Sequence, residues 1–312
     1  MRTPEESELR LGGWAAFGAY FLWGILPIYW KWITGATAEE ILAHRIIWSF
    51  VFMLLVLGVM KKMTLLKKDF TFLRKNRTKM AIMISASLVI TVNWYMFIWA
   101  VDHDHVVQAS LGYYINPLVS VLLGIVFLKE KLSLLQIVSF LLATVGVLIM
   151  TFHAGTFPWI SLILAFSFGT YGLLKKKVHV RAMTGLTIET AFITPAALLY
   201  LLAFNTSPDR LLPLGDVRLL LLLLGTGIVT AVPLLLFAAG ANRISLAMIG
   251  FLQYIAPTIM LFIGTLVYDE PFNADDLAAF VMIWISLVLF TGSRTKRLQR
   301  LEHKIIGKHL AH

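Results

Sequence analysis

The chain has no cysteine and few charged residues for its length. Of its 312 residues, 14% are charged and 59% are hydrophobic, and the mean hydropathy is +0.81. A soluble domain carries about 25% charged residues, so this composition cannot cover a water-facing surface of normal polarity. Because cysteine is absent, disulfides and thiolate metal sites are excluded. The composition predicts a membrane protein.

Ten apolar runs are long enough to cross a bilayer as helices. A helix needs about 20 residues to span a hydrocarbon core of roughly 30 Å. The first ten residues are polar and lack the pattern of a cleaved signal peptide, so we expect residues 1–10 to form a short N-terminal segment. The predicted spans, numbered 1 to 10, are residues 11–32, 40–60, 80–101, 106–128, 134–152, 157–174, 185–204, 218–240, 245–268 and 275–292.

Positive charge is concentrated in alternate connections between these spans. If the N-terminus lies in the cytoplasm, the cytoplasmic segments hold 23 of the 27 Lys and Arg residues, and the outer segments hold only Lys31, Arg210 and Arg218. This is the distribution that the positive-inside rule requires. It predicts two cytoplasmic termini, and it explains the net charge of +10 without a nucleic-acid partner.

The chain contains an internal duplication at an offset of 140 positions. The equivalent pairs are Tyr114 and Tyr254, Ile115 and Ile255, Pro117 and Pro257, Gly124 and Gly264, and Glu130 and Glu270. Five spans per unit is an odd number, so the second unit is expected to be inverted, as in alternating-access carriers. We predict units at residues 11–152 and 153–292, followed by a basic amphipathic cytoplasmic tail at 293–312.

Arg45 is a charged residue inside span 2. It could extend outward to water or pair with Glu39 or Glu40. Alternatively, it faces a central cavity and attracts an anionic group, because ionisable residues within a membrane are usually functional. Helical spacing puts Trp48 on the same stripe, so we expect its ring to flank the guanidinium.

Glu189 is a second intramembrane charge, in span 7. It could couple transport to protons if its surroundings favour the protonated form, or it could make a structural hydrogen bond to a neighbouring helix. A bridge to Arg45 is not expected, because the two residues lie near opposite faces of the membrane.

Prolines interrupt equivalent places in the two units, at Pro117 and Pro257, with a further one at Pro233. We predict helix breaks or gating points there, because proline leaves a carbonyl without its amide partner. Paired interruptions indicate the binding site of a carrier. The polar and aromatic residues beside them are predicted to line the pocket: Tyr113, Tyr114, Asn116, Gln253 and Tyr254.

Three further residues are candidates for the same cavity. Asn93, in the middle of span 3, needs a polar partner, which is either another helix or a substrate. Trp23 in span 1 and Tyr171 in span 6 each precede a glycine at corresponding places, and they either face the cavity or pack.

Several segments resemble the RarD-type, chloramphenicol-sensitive branch of the EamA family in the drug/metabolite transporter superfamily. They include AYFLWGILPIYWK, HRIIWSF, NWYMFIWAV, ASLGYYINPLVSVLLGIVFLKEKLS and FLQYIAPTIMLFI, and the resemblance covers about residues 11–292. It implies two inverted five-helix units in a bacterial inner-membrane carrier. It also implies a cavity lined by spans 1, 3, 4, 6, 8 and 9, which favours Trp23, Asn93, Tyr113, Asn116, Tyr171, Gln253 and Tyr254. Spans 5 and 10 would be peripheral.

The sequence therefore predicts an all-α polytopic protein that acts as a secondary active transporter. We expect export of small organic metabolites or drug-like solutes, such as amino acids or amphipathic carboxylates, coupled to protons or driven by the solute gradient. Peripheral spans 5 and 10 would face lipid or a second copy of the chain. No cofactor, metal or enzymatic role is predicted, because the spans contain no nucleophile–base pair, metalloprotease motif or ATP-binding motif. The alternative is a channel-like facilitator or a flippase of a lipid-linked intermediate.

Overall fold

The computed structural model describes residues 4–103, 105–153, 157–204, 212–267 and 274–293. Within these ranges the chain forms helices joined by turns and contains no strand. The helices are α1 (Pro4–Trp32), α2 (Ala38–Val59), α3 (Met63–Lys75), α4 (Arg77–Asp102), α5 (Val106–Leu128), α6 (Leu134–His153), α7 (Trp159–Val178), α8 (Ala182–Leu199), a π-helical turn (Tyr200–Phe204), α9 (Val217–Ala241), α10 (Leu246–Gln253), α11 (Ile255–Val267) and α12 (Ala274–Gly292).

Eight helical segments in the described ranges are long and apolar enough to cross a membrane. They are α1, α2, α4, α5, α6, α8 with its π-helical turn, α9, and α10 with α11. The apolar part of α12, Leu277–Gly292, is shorter. Helix α7 ends in three lysines, Lys175–Lys177. This agrees with the predicted all-helical, multi-pass membrane protein.

The ends of several helices carry recognisable capping residues. Thr37 and Glu40 form a capping box at the start of α2, in which the Thr37 N–H donates to Glu40 Oε2 at 2.8 Å. Asn76 caps α4 and Ser245 caps α10 through their side-chain oxygens. These caps satisfy N–H groups that have no partner within the helix.

Helix α3 is amphipathic and joins two long apolar helices. Its Asp69 is buried, where it accepts from Arg181 Nη1 at 2.6 Å and from the Thr184 hydroxyl at 2.6 Å. The sequence indicated positive charge in this connection but not the buried contact of Asp69. Helix α3, the N-terminal parts of α1 and α8, and the C-terminal end of α9 lie together, and we call this side of the bundle the basic end.

Small residues allow the central helices to approach closely. The Gly227 backbone on α9 lies directly against the backbone of Trp48 on α2. On the outside of the bundle, α6 packs against α12, where a Cβ on Gly146 would lie 2.9 Å from the Ala279 carbonyl oxygen. The faces that α6 and α12 turn toward each other are therefore covered within one chain.

Helix α5 crosses α10 near the middle of the bundle. A Cβ on Gly250 would lie 2.7 Å from the Pro117 carbonyl oxygen, so the two backbones touch at this point. Toward the basic end, the Glu130 carboxylate accepts from the Leu246 N–H at 2.7 Å and the Ala247 N–H at 2.9 Å, and so caps α10. Beyond the crossing, α11 packs mainly against α1.

The prolines behave differently from the prediction of helix breaks. Helix α5 continues through Pro117 and α9 continues through Pro233, so the chain has no helix break at these two positions, and their role as gating points stays a prediction. The interruption lies at Tyr254, between α10 and α11, one turn before Pro257. There the Tyr254 N–H bonds to the Phe251 carbonyl at 3.3 Å, and Pro257 has no N–H to donate to the Gln253 carbonyl.

Some predictions fall on residues that the structure does not describe. These include most of the expected amphipathic tail, since residues 294–312 lie outside the described ranges, and Glu270, the counterpart of Glu130.

Candidate functional site

Arg45 lies between two aromatic rings in the half of the bundle remote from the basic end. Its Cζ is 4.8 Å from the centre of the Trp30 ring and 5.0 Å from that of Trp94, and both distances are within the range of cation–π attraction. The Arg45 Nε donates to the Thr230 hydroxyl at 3.1 Å. Helices α1, α2, α4 and α9 each contribute one side chain to this arrangement.

The main chain places these groups at a common depth. Arg45 and Tyr113 are the eighth residues of α2 and α5, and Trp94 is eight residues before the last residue of α4. At 1.5 Å per residue, each lies about 10–12 Å from the same end of the bundle. Tyr113 lies near Arg45, and its ring packs edge-on against Phe97 with 5.7 Å between the ring centres.

The close contact of α2 with α9 fixes the position of Arg45. Gly227 touches the Trp48 backbone, and the Ser49 hydroxyl donates to the Gly227 carbonyl at 3.3 Å. Thr230 follows Gly227 by three residues and therefore faces the same helix one turn away. The alignment of Arg45 with Thr230 thus depends on a backbone contact that only glycine permits.

The guanidinium retains free hydrogen-bonding capacity. In the described part of the chain, no carboxylate lies within ion-pair distance of Arg45 and no acceptor is bonded to either Nη atom. Glu40 does not pair with it and instead completes the cap of α2. A guanidinium has five N–H donors in a planar fork that matches a carboxylate or phosphate. Four of these donors have no hydrogen-bond partner among the described residues.

Two of the aromatic partners differ from the sequence prediction. The rings over the guanidinium are those of Trp30 and Trp94, neither of which was predicted from the sequence to flank Arg45. Trp48, predicted to flank Arg45, donates from its indole nitrogen to His44 Nδ1 at 3.1 Å. Thr230 was also missed, because it is 185 residues from Arg45 and one threonine in an apolar helix carries no signal of its own.

Asn93 connects two helices. Its amide nitrogen donates to the Leu164 carbonyl and to the Ser167 hydroxyl, both at 2.9 Å, and so links α4 to α7. The sequence left open whether the partner of Asn93 is another helix or a substrate, and in the structure it is the helix α7.

Glu189 forms a buried ion pair with Lys175, whose Nζ lies 2.7 Å from Glu189 Oε1. The Tyr171 hydroxyl donates to the other carboxylate oxygen at 3.1 Å. The Tyr171 ring is fully buried and stacks on Phe237, whose ring also contacts Trp23. Trp23 and Tyr171 therefore belong to one packed aromatic cluster.

The residues beside the paired prolines separate into two groups. Tyr114 and Tyr254 lie in a packed cluster with Phe280 and Ile283 of α12, away from Arg45, and the Tyr114 hydroxyl reaches the Pro257 carbonyl at 3.5 Å. Asn116 and Gln253 are buried, and the amide oxygen of each has no hydrogen-bond partner among the described residues. The hydroxyl of Tyr254 also has no partner among them.

Comparison with known proteins places this arrangement in a family. The sequence model of the EamA-like transporter family matches residues 10–152 and again residues 158–292. An uncharacterized transporter of Bacillus subtilis, YojE, is 49% identical over 292 residues, which cover 94% of this chain and 97% of that protein. Protein RarD of Escherichia coli is 42% identical over 286 residues, covering 92% and 95% of the two chains.

A solved crystal structure shows the same fold. It is 16% identical in sequence, has a TM-score of 0.69, and covers 93% of this chain and 98% of its own. Together with the family match over both parts of the chain, these likenesses show that the protein is a multi-pass membrane transporter of RarD type and belongs to the EamA-like transporter family.

Proposed function

We propose that this chain is a secondary transporter of small organic solutes in a bacterial inner membrane, and that Arg45 binds an anionic group of the solute. Amphipathic carboxylates, amino acids and drug-like anions have this chemistry. The direction is export.

The proposal rests on the guanidinium of Arg45, which has no ion-pair partner among the residues that the structure describes. A charge within the apolar part of a membrane protein is costly unless it has a partner, and such residues usually mark a substrate or ion path. Trp30 and Trp94 stabilise the cation through their ring faces and also offer apolar surface for the body of a solute. The Nη groups remain free to form a bidentate bond with a carboxylate.

Ten spans with both termini in the cytoplasm fit the helices and the charges. The spans would be the eight long segments together with α7 and α12. The basic end, with Lys62, Arg181 and Arg243, would lie in the cytoplasm by the positive-inside rule. The two matches of the family model support a duplicated unit, and five spans in each unit would make the second inverted.

The packing of α5 against α10 and α11 supports alternating access. At the basic end α5 and α10 are joined by the Glu130 cap, whereas beyond the Pro117–Gly250 contact α11 packs mainly against α1. The Glu130 contact would close the cytoplasmic side of the carrier in this conformation. Exchange of the conformations of the two units would open that side and close the other.

The energy source would be an ion or solute gradient, since the sequence has no ATP-binding motif. Glu189 is the candidate for proton coupling, through its pair with Lys175. Helices α6 and α12 lie at the periphery, and their outer faces would contact lipid or a second copy of the chain.

Counterflow in proteoliposomes tests the proposal. Loaded with unlabelled carboxylated solutes, vesicles containing the wild type should accumulate the labelled solute saturably. Arg45→Gln should abolish this exchange, and Arg45→Lys should reduce it at least about tenfold, since lysine keeps the charge but loses the fork. Thr230→Val should weaken solute affinity about threefold or more, because it releases one edge of the guanidinium.

Matched controls separate the site from general damage. Arg218→Gln removes an exposed arginine at the same side of the membrane, and Thr226→Val alters a buried hydroxyl one turn from Thr230 that bonds within its own helix. Both should transport as the wild type. If only neutral solutes were exchanged, and equally well by the wild type and Arg45→Gln, the proposed anion site would be contradicted. Linear flux would indicate a channel, and a requirement for a lipid headgroup on the solute would indicate a flippase.

A further inference from the structure

A crevice of about 480 Å³ opens at the basic end, away from Arg45. It lies where α1, α9, the start of α8 and the connection between α2 and α3 meet. The first and second halves of the chain both contribute to its walls. Nothing in the transport proposal uses this crevice.

Three cations and one carboxylate line the crevice, namely Lys62, Arg181, Arg243 and Glu8. Lys62 is half-buried and forms no ion pair with a carboxylate in the part of the chain that the structure describes. Arg243 uses Nε for Glu8 at 2.8 Å and Nη1 for the Ala239 carbonyl at 2.9 Å, which leaves its Nη2. The crevice therefore has an excess of positive charge.

Arg181 contributes both its side chain and a helix terminus. It uses Nη1 for Asp69 at 2.6 Å, which leaves Nε and Nη2. It is also the N-cap residue of α8, and its side chain does not cap that helix. The N–H groups of the first turn, at Ala182 and Met183, belong to residues that line the crevice. A helix N-terminus beside several cations favours a phosphate group.

The neighbouring helix α3 indicates where such a phosphate would come from. Phe70 and Phe72 expose apolar rings, with 42% and 43% of their surface accessible, while Lys67, Lys68, Arg74 and Lys75 surround them. A basic helix with exposed aromatic residues is typical of the membrane interface. Leu65 and Met183 give the crevice an apolar wall that can contact a glycerol backbone or the start of an acyl chain.

We propose that this crevice binds the phosphate of an anionic phospholipid from the cytoplasmic leaflet. Lys62, Arg181 and Arg243 hold the phosphate oxygens, with the first turn of α8 completing the site. Because the walls come from both halves of the chain, the bound lipid braces the closed cytoplasmic end of the transporter.

The experiment measures lipid binding to the full-length protein in neutral detergent, by the rise in melting temperature with added lipid. The ligands are dioctanoyl phosphatidylglycerol, dioctanoyl phosphatidylcholine and soluble glycerol 3-phosphate. We expect saturable stabilisation by phosphatidylglycerol and little by phosphatidylcholine. Lys62→Gln should raise the apparent Kd for phosphatidylglycerol about fivefold, since each cation near the surface contributes roughly that factor.

Lys61→Gln is the matched control, because Lys61 is adjacent and exposed but does not line the crevice. It should leave the Kd unchanged. The proposal would be overturned if Lys61→Gln and Lys62→Gln raised the apparent Kd for phosphatidylglycerol equally. It would also be overturned if phosphatidylglycerol and phosphatidylcholine raised the melting temperature equally. Saturable binding of glycerol 3-phosphate that depends on Lys62 would keep the phosphate site but overturn its assignment to lipid. The cytoplasmic placement and the bracing of the closed end rest on the proposed function. Because binding is measured without transport, failure of the lipid site and failure of the transport proposal can be told apart.

Discussion

Glu189 and Lys175 neutralise each other within the apolar interior of the bundle. Both side chains are buried, with exposed fractions of 2% and 8%, and Tyr171 satisfies the second carboxylate oxygen. A buried pair of this kind is destabilised far more by the loss of one member than by the loss of both, because the remaining charge has no partner.

Glu189→Gln should therefore lower the free energy of unfolding by about 3–5 kcal/mol, with Lys175 left as an unpaired buried charge. The double variant Lys175→Met with Glu189→Gln should recover most of that loss. Thermal melts in detergent measure both. If the single and double variants were equally unstable, the ion pair would not be the cause.

The same double variant tests proton coupling. It removes the titratable pair but keeps a folded protein, so pH-driven transport should disappear while exchange at equal pH persists. Unchanged pH dependence of transport in the double variant would show that Glu189 does not carry the proton.

At the scale of helices, the lengths of the apolar runs and the charges between them indicate the apolar helices well, because length and polarity determine whether a helix can lie in a bilayer. The same reasoning missed how helices meet. The helix α3 is held by Asp69 contacting Arg181, 112 residues away, and no local pattern reports such a contact. Proline was overinterpreted, because helix continuity at Pro117 and Pro233 depends on neighbouring groups.

At the candidate site too, the sequence indicated the unusual residue but not the residues that contact it. Arg45 stood out in the sequence because a charge in an apolar run is rare. Trp30 and Trp94 are common residue types in a membrane protein, so only their position around Arg45 distinguishes them. Asn93 was recognised as needing a partner, but the identity of that partner required the packing of α4 against α7.

Of the helix contacts around Arg45, the contact between α2 and α9 should be the most sensitive to substitution. Gly227→Ala would place a methyl group into the Trp48 backbone and push the two helices apart, so we expect a loss of more than about 2 kcal/mol in stability and loss of transport. Gly58→Ala is the control, because nothing lies within 4 Å of its Cβ position. Melting temperature and counterflow measure the two effects. Tolerance of Gly227→Ala would mean that the approach is looser than the structure indicates.

At the scale of the whole molecule, Glu130 joins the two halves of the chain. Its carboxylate comes from the end of α5 and completes the start of α10, 116 residues later. Loss of a carboxylate cap costs roughly 0.5–2 kcal/mol, which is enough to shift a two-state equilibrium about twofold to thirtyfold.

Glu130→Gln should open the cytoplasmic side more often. The chain has no cysteine, so Ser120→Cys, buried between α5 and α10, gives a single reporter whose labelling rate measures that opening. We expect faster maleimide labelling with Glu130→Gln. Lys131→Gln, which changes an exposed charge next to Glu130 in the sequence, should have no effect. Equal labelling of the three proteins would exclude Glu130 as a gate residue.

Because the helix is interrupted at Tyr254, α11 could tilt about this residue as a rigid segment. Helix α11 extends 13 residues, from Ile255 to Val267, and is therefore about 20 Å long. A tilt of about 10° at the interruption would displace its far end by about 3 Å, the diameter of one water molecule. A bulkier solute requires a larger tilt, and the contacts of α11 with α1 oppose it. The angle available at this one residue would then set an upper limit on the size of molecule that can pass.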